Sequence, residues 1–153
     1  MDLLKQIKQN AAKYNMRIVL PEGTEPRTLK AAQIIIKEKL ARLILLGNKA
    51  EVEKKSAELN VEISGAEIID PTTDLLREKY AEKMVEIRKE KGLSHEDALK
   101  MLNDPLCFGA MMIKCGDADG ELAGAINSTG DVLRPAFQFV KTAPGSSVVS
   151  GAF

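Results

Sequence analysis

Histidine is nearly missing from this chain: 153 residues include one, His95, and tryptophan is absent altogether. Metal centres built on several histidines, and hydrolytic triads that need more than one, are thereby excluded. His95 lies in "GLSHEDALK", an acid-rich helix start with no nucleophile nearby, and reads as an exposed surface position. Any chemistry falls to arginine, serine, threonine, lysine or aspartate. The two cysteines, Cys107 and Cys115, lack metal-ligand spacing and read as free thiols in a reducing cytoplasm, with a disulfide as the lesser alternative. Neither sign of charge is in excess, since lysine plus arginine and aspartate plus glutamate are 22 each. That excludes a global field for nucleic acid or for a membrane surface and leaves only a local basic patch. No apolar run reaches the roughly 18 residues of a membrane span. Residues 1–16, "MDLLKQIKQNAAKYNM", have the pattern of an amphipathic helix, without the apolar centre and cleavage site of a secretory signal. Internal repeats and low-complexity linkers are also absent.

What is present suits one globular domain, with 44% hydrophobic and 29% charged residues. "MRIVLPEG" (16–23) reads as a buried strand closed by a turn. In "TEPRTLKAAQIIIKEKL", Thr24 is a candidate N-cap, Pro26 fits the first turn, and Leu29, Ala32, Ile36 and Leu40 recur at helical spacing. "ARLILLG" is a second strand, Asn48 caps a helix over 49–60, and "AEIID" is a third strand stopped by Pro71. This alternation predicts parallel pairing with right-handed crossovers, hence a layered α/β/α sheet. A long helix is expected from Thr72 or Thr73 to Gly92. A second follows from Ser94, with Asp97 in the capping-box position. A third begins at Asp104–Pro105 and is apolar nearly all round, so it is deeply buried. "GDADG" is a turn, too short and with the wrong glycine placement for a calcium loop. "ELAGAIN" (121–127) reads as a strand, "STGDVLRPAFQFVK" as a helix, and "SSVVSGAF" as a final apolar strand. An apolar parallel strand needs a following element to cover it, so the carboxyl end reads as cut. Met1 followed by a helix reads as a true start.

The stretch "GAINSTGDVLRPAF" invites a functional reading. Ser128, Thr129, Gly130 and Asp131 stand where a helix begins at the carboxyl end of a strand, and Arg134 follows within a turn. Backbone amides, two hydroxyls and a permanently charged guanidinium fork suit a phosphate or carboxylate. The plainer reading is that Ser128, Thr129 or Asp131 caps the helix and Arg134 pairs with a surface acid. Taken alone the plainer reading is the stronger, because no full phosphate-loop pattern is present. Arg27 in "TEPRTL" poses the same choice: a ligand, or Glu22 or Glu25. Arg88, among lysines, reads by itself as part of a solvated charge run.

In order and spacing, "RIVLPEG", "LILLGN", "DPLCFGAMMIKCGDADGELAGAINSTGDVLRPAFQFVKTAPG" and "SSVVSG" resemble the phosphate acetyltransferase (phosphotransacetylase) family. Its close relatives are phosphate butyryltransferases and the transferase-like domain attached to some malic enzymes. The resemblance spans essentially the whole chain, and the run from Pro105 to Gly145 is its specific part. It implies a reversible transfer, acetyl-CoA plus phosphate to acetyl phosphate plus CoA, with no metal, no cofactor beyond CoA as substrate, and no nucleic-acid or membrane partner. It also implies an isocitrate/isopropylmalate dehydrogenase-like fold of two domains around a cleft, paired as a homodimer. By that resemblance Ser128 and Thr129 belong to the Ser-Thr turn at the cleft, and Arg134 serves CoA or phosphate. Arg88 matches a helix arginine that serves CoA, and Arg27 an arginine near the cleft. Lys141, Thr142 and Gly145 frame the crossing into the second domain. Residues 1–143 are then the first domain, incomplete, and 144–153 open the second. The family's catalytic serine, arginine and aspartate lie farther along than this sequence runs, so no catalytic residue is assignable here. The chain alone is expected to be inactive or nearly so, and to self-associate through an apolar sheet edge near Val148 and Val149. A butyryltransferase, or a non-catalytic acyl-CoA-sensing domain of the malic-enzyme type, is the alternative.

Overall fold

Alternation along the short apolar strands decides the layering. In the computed structural model, which describes residues 2–149, β1 (Arg17–Leu20) turns Val19 to one face of the sheet and Leu20 to the other. β2 (Arg42–Leu46) divides in the same way, Leu43 and Leu45 against Ile44 and Leu46. Strands buried on both faces need helices on both. On the Leu20 side lie α2 (Pro26–Lys37) and α3 (Lys49–Glu58), which contribute Leu29, Ala32 and Val52. On the Val19 side lie α4 (Arg77–Ile87), α5 (His95–Met101) and α6 (Pro105–Lys114), with Tyr80, Met84, Leu102, Phe108 and Met111. Tyr80 and Phe108 meet edge to face at 5.1 Å, and the Tyr80 hydroxyl donates to Asp117. The sheet is parallel throughout and ordered β3-β2-β1-β4, with β3 at Glu67–Ile69 and β4 at Gly120–Glu121. The α/β/α layering expected from the sequence is therefore present.

Local chemistry sets the helix ends. α2 is capped by Glu25, which accepts from Thr28 N–H, rather than by Thr24. Asn48 caps α3 and Ser94 caps α5; the Asp97 carboxylate accepts from the Ser94 hydroxyl, not from the Ser94 N–H that a capping box uses. The long helix expected from Thr72 starts only at Arg77. The Asp70 carboxylate takes the Thr72 N–H and hydroxyl, and Asp74 takes the Leu76 N–H, so this stretch makes side-chain-closed turns instead. α6 is buried from Leu106 to Met112. Within it Cys107 is a free cysteine. Burial, with Asp104 and Glu121 nearby, pushes its thiol up to about 12, which makes it unreactive.

Two expectations fail. Residues 146–149 form no strand, and Ser150–Phe153 lie outside the described residues. Val148 and Val149 are exposed, but no sheet edge forms there. A further uncovered apolar surface is a hollow of about 530 Å³ beside α2, lined by Tyr14, Met16, Ile18, Ile35, Leu43 and Leu122. α1 (Leu3–Tyr14) flanks it and has no buried residue. Among the described residues no helix is long and apolar enough to cross a membrane.

Candidate functional site

The chain builds β1, β2 and β3 outward in one direction, then returns to lay β4 on the opposite side of β1. The helix after β1, α2, packs on the Leu20 face. Beyond β4 come α7 (Thr129–Pro135) and a π-helical segment, Ala136–Val140, whose Phe139 packs on the Val19 face. Loops that leave neighbouring parallel strands for opposite faces open a crevice at the strands' carboxyl ends, where ligands of such sheets bind.

The crevice floor is a carboxylate. β4 ends after Glu121, not at Asn127 as its sequence suggests: Leu122 N–H still reaches the Val19 carbonyl, but β1 itself ends at Leu20, and the amides of Gly124 to Asn127 pair with Glu22. Glu22 Oε1 accepts from the N–H groups of Gly124 (2.8 Å) and Ala125 (2.9 Å). Its Oε2 accepts from Ile126 (2.6 Å), Asn127 (3.0 Å) and the Asn127 side chain (3.1 Å). Gly124, at φ +115°, makes the turn that starts this loop. Glu22 is only 6% exposed. Burial alone would raise its pKa, but the amides of Ile126, Ala125, Asn127 and Gly124 outweigh that and hold it down at about 2. Since the ordinary value is 4.5, this carboxylate contributes stability that is complete above pH 4.5 and lost as pH falls through 2. Asp119, held down to about 2 by its hydrogen bonds with Arg17, acts in the same direction. Thermal melts should therefore show progressive loss of stability across that acid window. The loss should be smaller in Glu22→Gln, which starts lower.

Around this floor the expected residues stand as follows. Arg27 donates Nε to Glu25 at 2.7 Å and Nη2 to the Ala125 carbonyl, so it does pair with an acid and also grips the same loop. Its side chain is 70% exposed. Ser128 caps α7: its hydroxyl accepts from Asp131 N–H at 3.2 Å and donates to the Asp131 carboxylate at 2.7 Å. Thr129 is exposed, and its hydroxyl makes no hydrogen bond among the described residues. Arg134 approaches Asp131 at 3.6 Å and remains 68% exposed. It borders a hollow of about 290 Å³ with Lys100, Asp104, Asn127 and Gln138. The plainer readings of Ser128 and Arg134 thus hold in this structure, though both groups stay at the surface. The amides of 124–127, ahead of Ser128, are committed to Glu22; of the helix-start residues proposed for an anion, Asp131 gives its N–H to the Ser128 hydroxyl instead. Arg27 reaches the loop that leads to Ser128, through the Ala125 carbonyl, but makes no hydrogen bond with Ser128 itself. Arg88 does not join them: it is the C-cap of α4 and lines neither that hollow nor the one beside Arg27. Lys141 and Gly145, both at positive φ, lie with Thr142 in the irregular stretch after the π-helical segment.

Sequence reasoning named Glu22 only as a possible partner of Arg27 and missed its role. The one signal was a glutamate held between Pro21 and Gly23 at the end of an apolar run. Glu121 was missed too. Its Oε1 is buried with no hydrogen-bond partner. Burial, then Asp104 and Glu22, pushes its carboxyl up to about 8.

Fold and crevice together define an α/β domain that offers hydroxyls and arginines at the reversal point of a parallel sheet. The family model for "Phosphate acetyl/butaryl transferase" matches residues 2–153, and the chain belongs to that family. It is 50% identical over its full length to a phosphate acetyltransferase of Thermoanaerobacterium thermosaccharolyticum, and 49% identical to that of Clostridium acetobutylicum. In both cases it spans 46% of the relative. A solved phosphotransacetylase from Streptococcus pyogenes superposes with a TM-score of 0.90 at 39% identity, over 97% of this chain and 46% of that one. The chain therefore spans about half the length of these three relatives.

Proposed function

We propose that this chain supplies the phosphate- and CoA-binding wall of a phosphate acetyltransferase, which interconverts acetyl-CoA plus phosphate with acetyl phosphate plus CoA. In the direction of acetyl-CoA, the CoA sulfur forms a bond to the acetyl carbonyl carbon while the bond from that carbon to the phosphate oxygen breaks. The thiol proton goes to a base, and phosphate leaves with the electron pair. Such a reaction needs fixed cationic donors on the phosphate and little else from this wall. In this reading Arg134 supplies a bidentate fork to a phosphate, and Ser128 and Thr129 add two hydroxyls from the start of the same helix. Arg27 lies across the same loop. Arg88 would act only on a distal part of CoA. None of the five is a base, so the proton acceptor is not assigned to any of them.

The observation that carries this reading is the crevice at the sheet's reversal point, with Ser128 and Thr129 at the start of α7 and an exposed Arg134 farther along it, in a chain of this family. The finer assignments rest on the same likeness: the isocitrate/isopropylmalate dehydrogenase-like classification, a first domain over residues 1–143, a cytoplasmic setting, a homodimeric whole protein, and chemistry without a metal. Titrating the chain with CoA and with inorganic phosphate, followed by backbone NMR, tests it. Signals of Ser128, Thr129 and Arg134 should move, and Arg134→Ala should weaken binding by about tenfold. Absence of any response at these positions would overturn the reading. Turnover is expected to be undetectable or far below that of a full-length relative; comparable turnover would show that a base lies within these residues after all.

A further inference from the structure

The side chain of Glu22 does nothing for the turn it belongs to. That turn is closed by backbone bonds, Gly23 N–H to the Leu46 carbonyl at 3.2 Å and Glu25 N–H to the Glu22 carbonyl at 3.1 Å. Its carboxylate is committed entirely to a segment more than 100 positions away, through four successive amides and one side-chain amide. Burying a charge is costly unless it is fully hydrogen-bonded, and here both oxygens are. We propose that Glu22 is the positioning residue of the crevice: its carboxylate gathers Gly124–Asn127 into one fixed loop and thereby sets where Ser128 and Thr129 stand. The role rests on the reading above, that these two residues face phosphate or CoA.

The geometry supports the assignment from both sides of the loop. With the amides of 124–127 drawn inward to Glu22, the Ala125 carbonyl turns the other way and meets Arg27, which Glu25 orients in turn. The stretch "PEGTEPR" thus holds the loop by its amides through Glu22 and by a carbonyl through Arg27. Beyond Leu122, whose N–H pairs with the Val19 carbonyl, the register sets Gly124 opposite Glu22 in the turn after β1, so without the carboxylate Gly124–Asn127 would have no strand to hold them and would be free to shift. Such a shift re-aims Ser128. The occupied amides also mean that an arriving anion meets hydroxyls and guanidinium groups while the negative floor opposes deeper entry.

The test uses the whole chain and CoA as the probe. Glu22→Gln keeps the size but replaces one acceptor oxygen by a donor that faces N–H groups. Hydrogen exchange of the 124–127 amides should accelerate by about tenfold or more, and the Kd for CoA should rise about tenfold. Exchange of the Leu29 and Leu45 amides should still report a folded core. Glu22→Asp, which keeps the charge on a shorter arm, should fall between the two; it carries the test should Glu22→Gln not fold. Ile63→Val, a core change on the α3 side, supplies the matched control, because a loss of general stability alone should leave CoA affinity unchanged. Wild-type affinity in a folded Glu22→Gln or Glu22→Asp would overturn the proposal. So would an equal loss of affinity in Ile63→Val at the same loss of melting temperature. If the unaltered chain ignores CoA, the functional reading itself falls and takes this role with it, an outcome told apart by the wild-type titration alone.

Discussion

Alanine at position 23 should cost the domain about 3 kcal/mol, and lower its melting temperature by about 10 °C. A Cβ on Gly23 would stand 2.3 Å from the Leu46 carbonyl oxygen and 3.1 Å from its carbon. Both are backbone atoms of the central strand pair, so neither can swing aside as a side chain would. The same carbonyl accepts the Gly23 N–H. Relief therefore means pulling the Pro21–Gly23 turn off the end of β2, which also withdraws Glu22 from its five donors. Gly130→Ala is the control, since its Cβ would meet only the Ser128 Oγ at 3.8 Å and should change stability by about 0.5 kcal/mol or less. A Gly23→Ala chain that melts with the wild type would show that the turn relaxes without effect on β2.

Glu121 should make the protein less stable as pH rises through neutrality, against the trend set by Glu22 and Asp119. Its carboxyl, ordinarily at 4.5, is pushed up to about 8, first by burial and then by Asp104 and Glu22. A carboxylic acid with a raised folded value favours the folded state below the unfolded value, and that contribution is lost as pH climbs through the folded one. The window is therefore pH 4.5 to 8, and the loss across it is about 2–4 kcal/mol. Crowding explains the site: a Cβ on Gly109 would lie 2.2 Å from Glu121 Oε1, so α6 approaches too closely to admit a partner. Glu121→Gln should flatten the dependence and melt higher than the wild type at the alkaline end. Parallel pH profiles in the two proteins would rule this explanation out.

Much of the fold could be read from local pattern, because the strands and their layers depend on neighbours in sequence. The runs "RIVL" and "RLILL" are short, apolar and bounded by turn residues, and they could serve only as strands buried on both faces. Asn48, and Ser94 with Asp97, cap helices because their partners lie three residues away. The deep burial of α6 followed from a segment apolar nearly all round. Where side chains compete for backbone groups the reading slipped. Asp70 and Asp74 delayed α4 by about a turn, and Glu25 displaced Thr24 as the cap of α2.

For the candidate site, the residue types and the stretch that bears Ser128, Thr129 and Arg134 were legible in the order of motifs, and family membership with them. Sequence alone determined an α/β chain with parallel strands, its caps, and the stretch where the candidate ligand groups cluster, since all of these turn on residues within a few positions of one another. Only the tertiary structure decided that β4 stops at Glu121, that the amides ahead of Ser128 answer to Glu22, that Arg88 stands apart, and that Glu121 is left without a partner. Each of those outcomes depends on which strand lies beside β1 and how closely α6 approaches it. Such choices are settled by packing between separate elements, some of them a hundred residues apart, as Glu22 and Gly124 are, which no local pattern encodes.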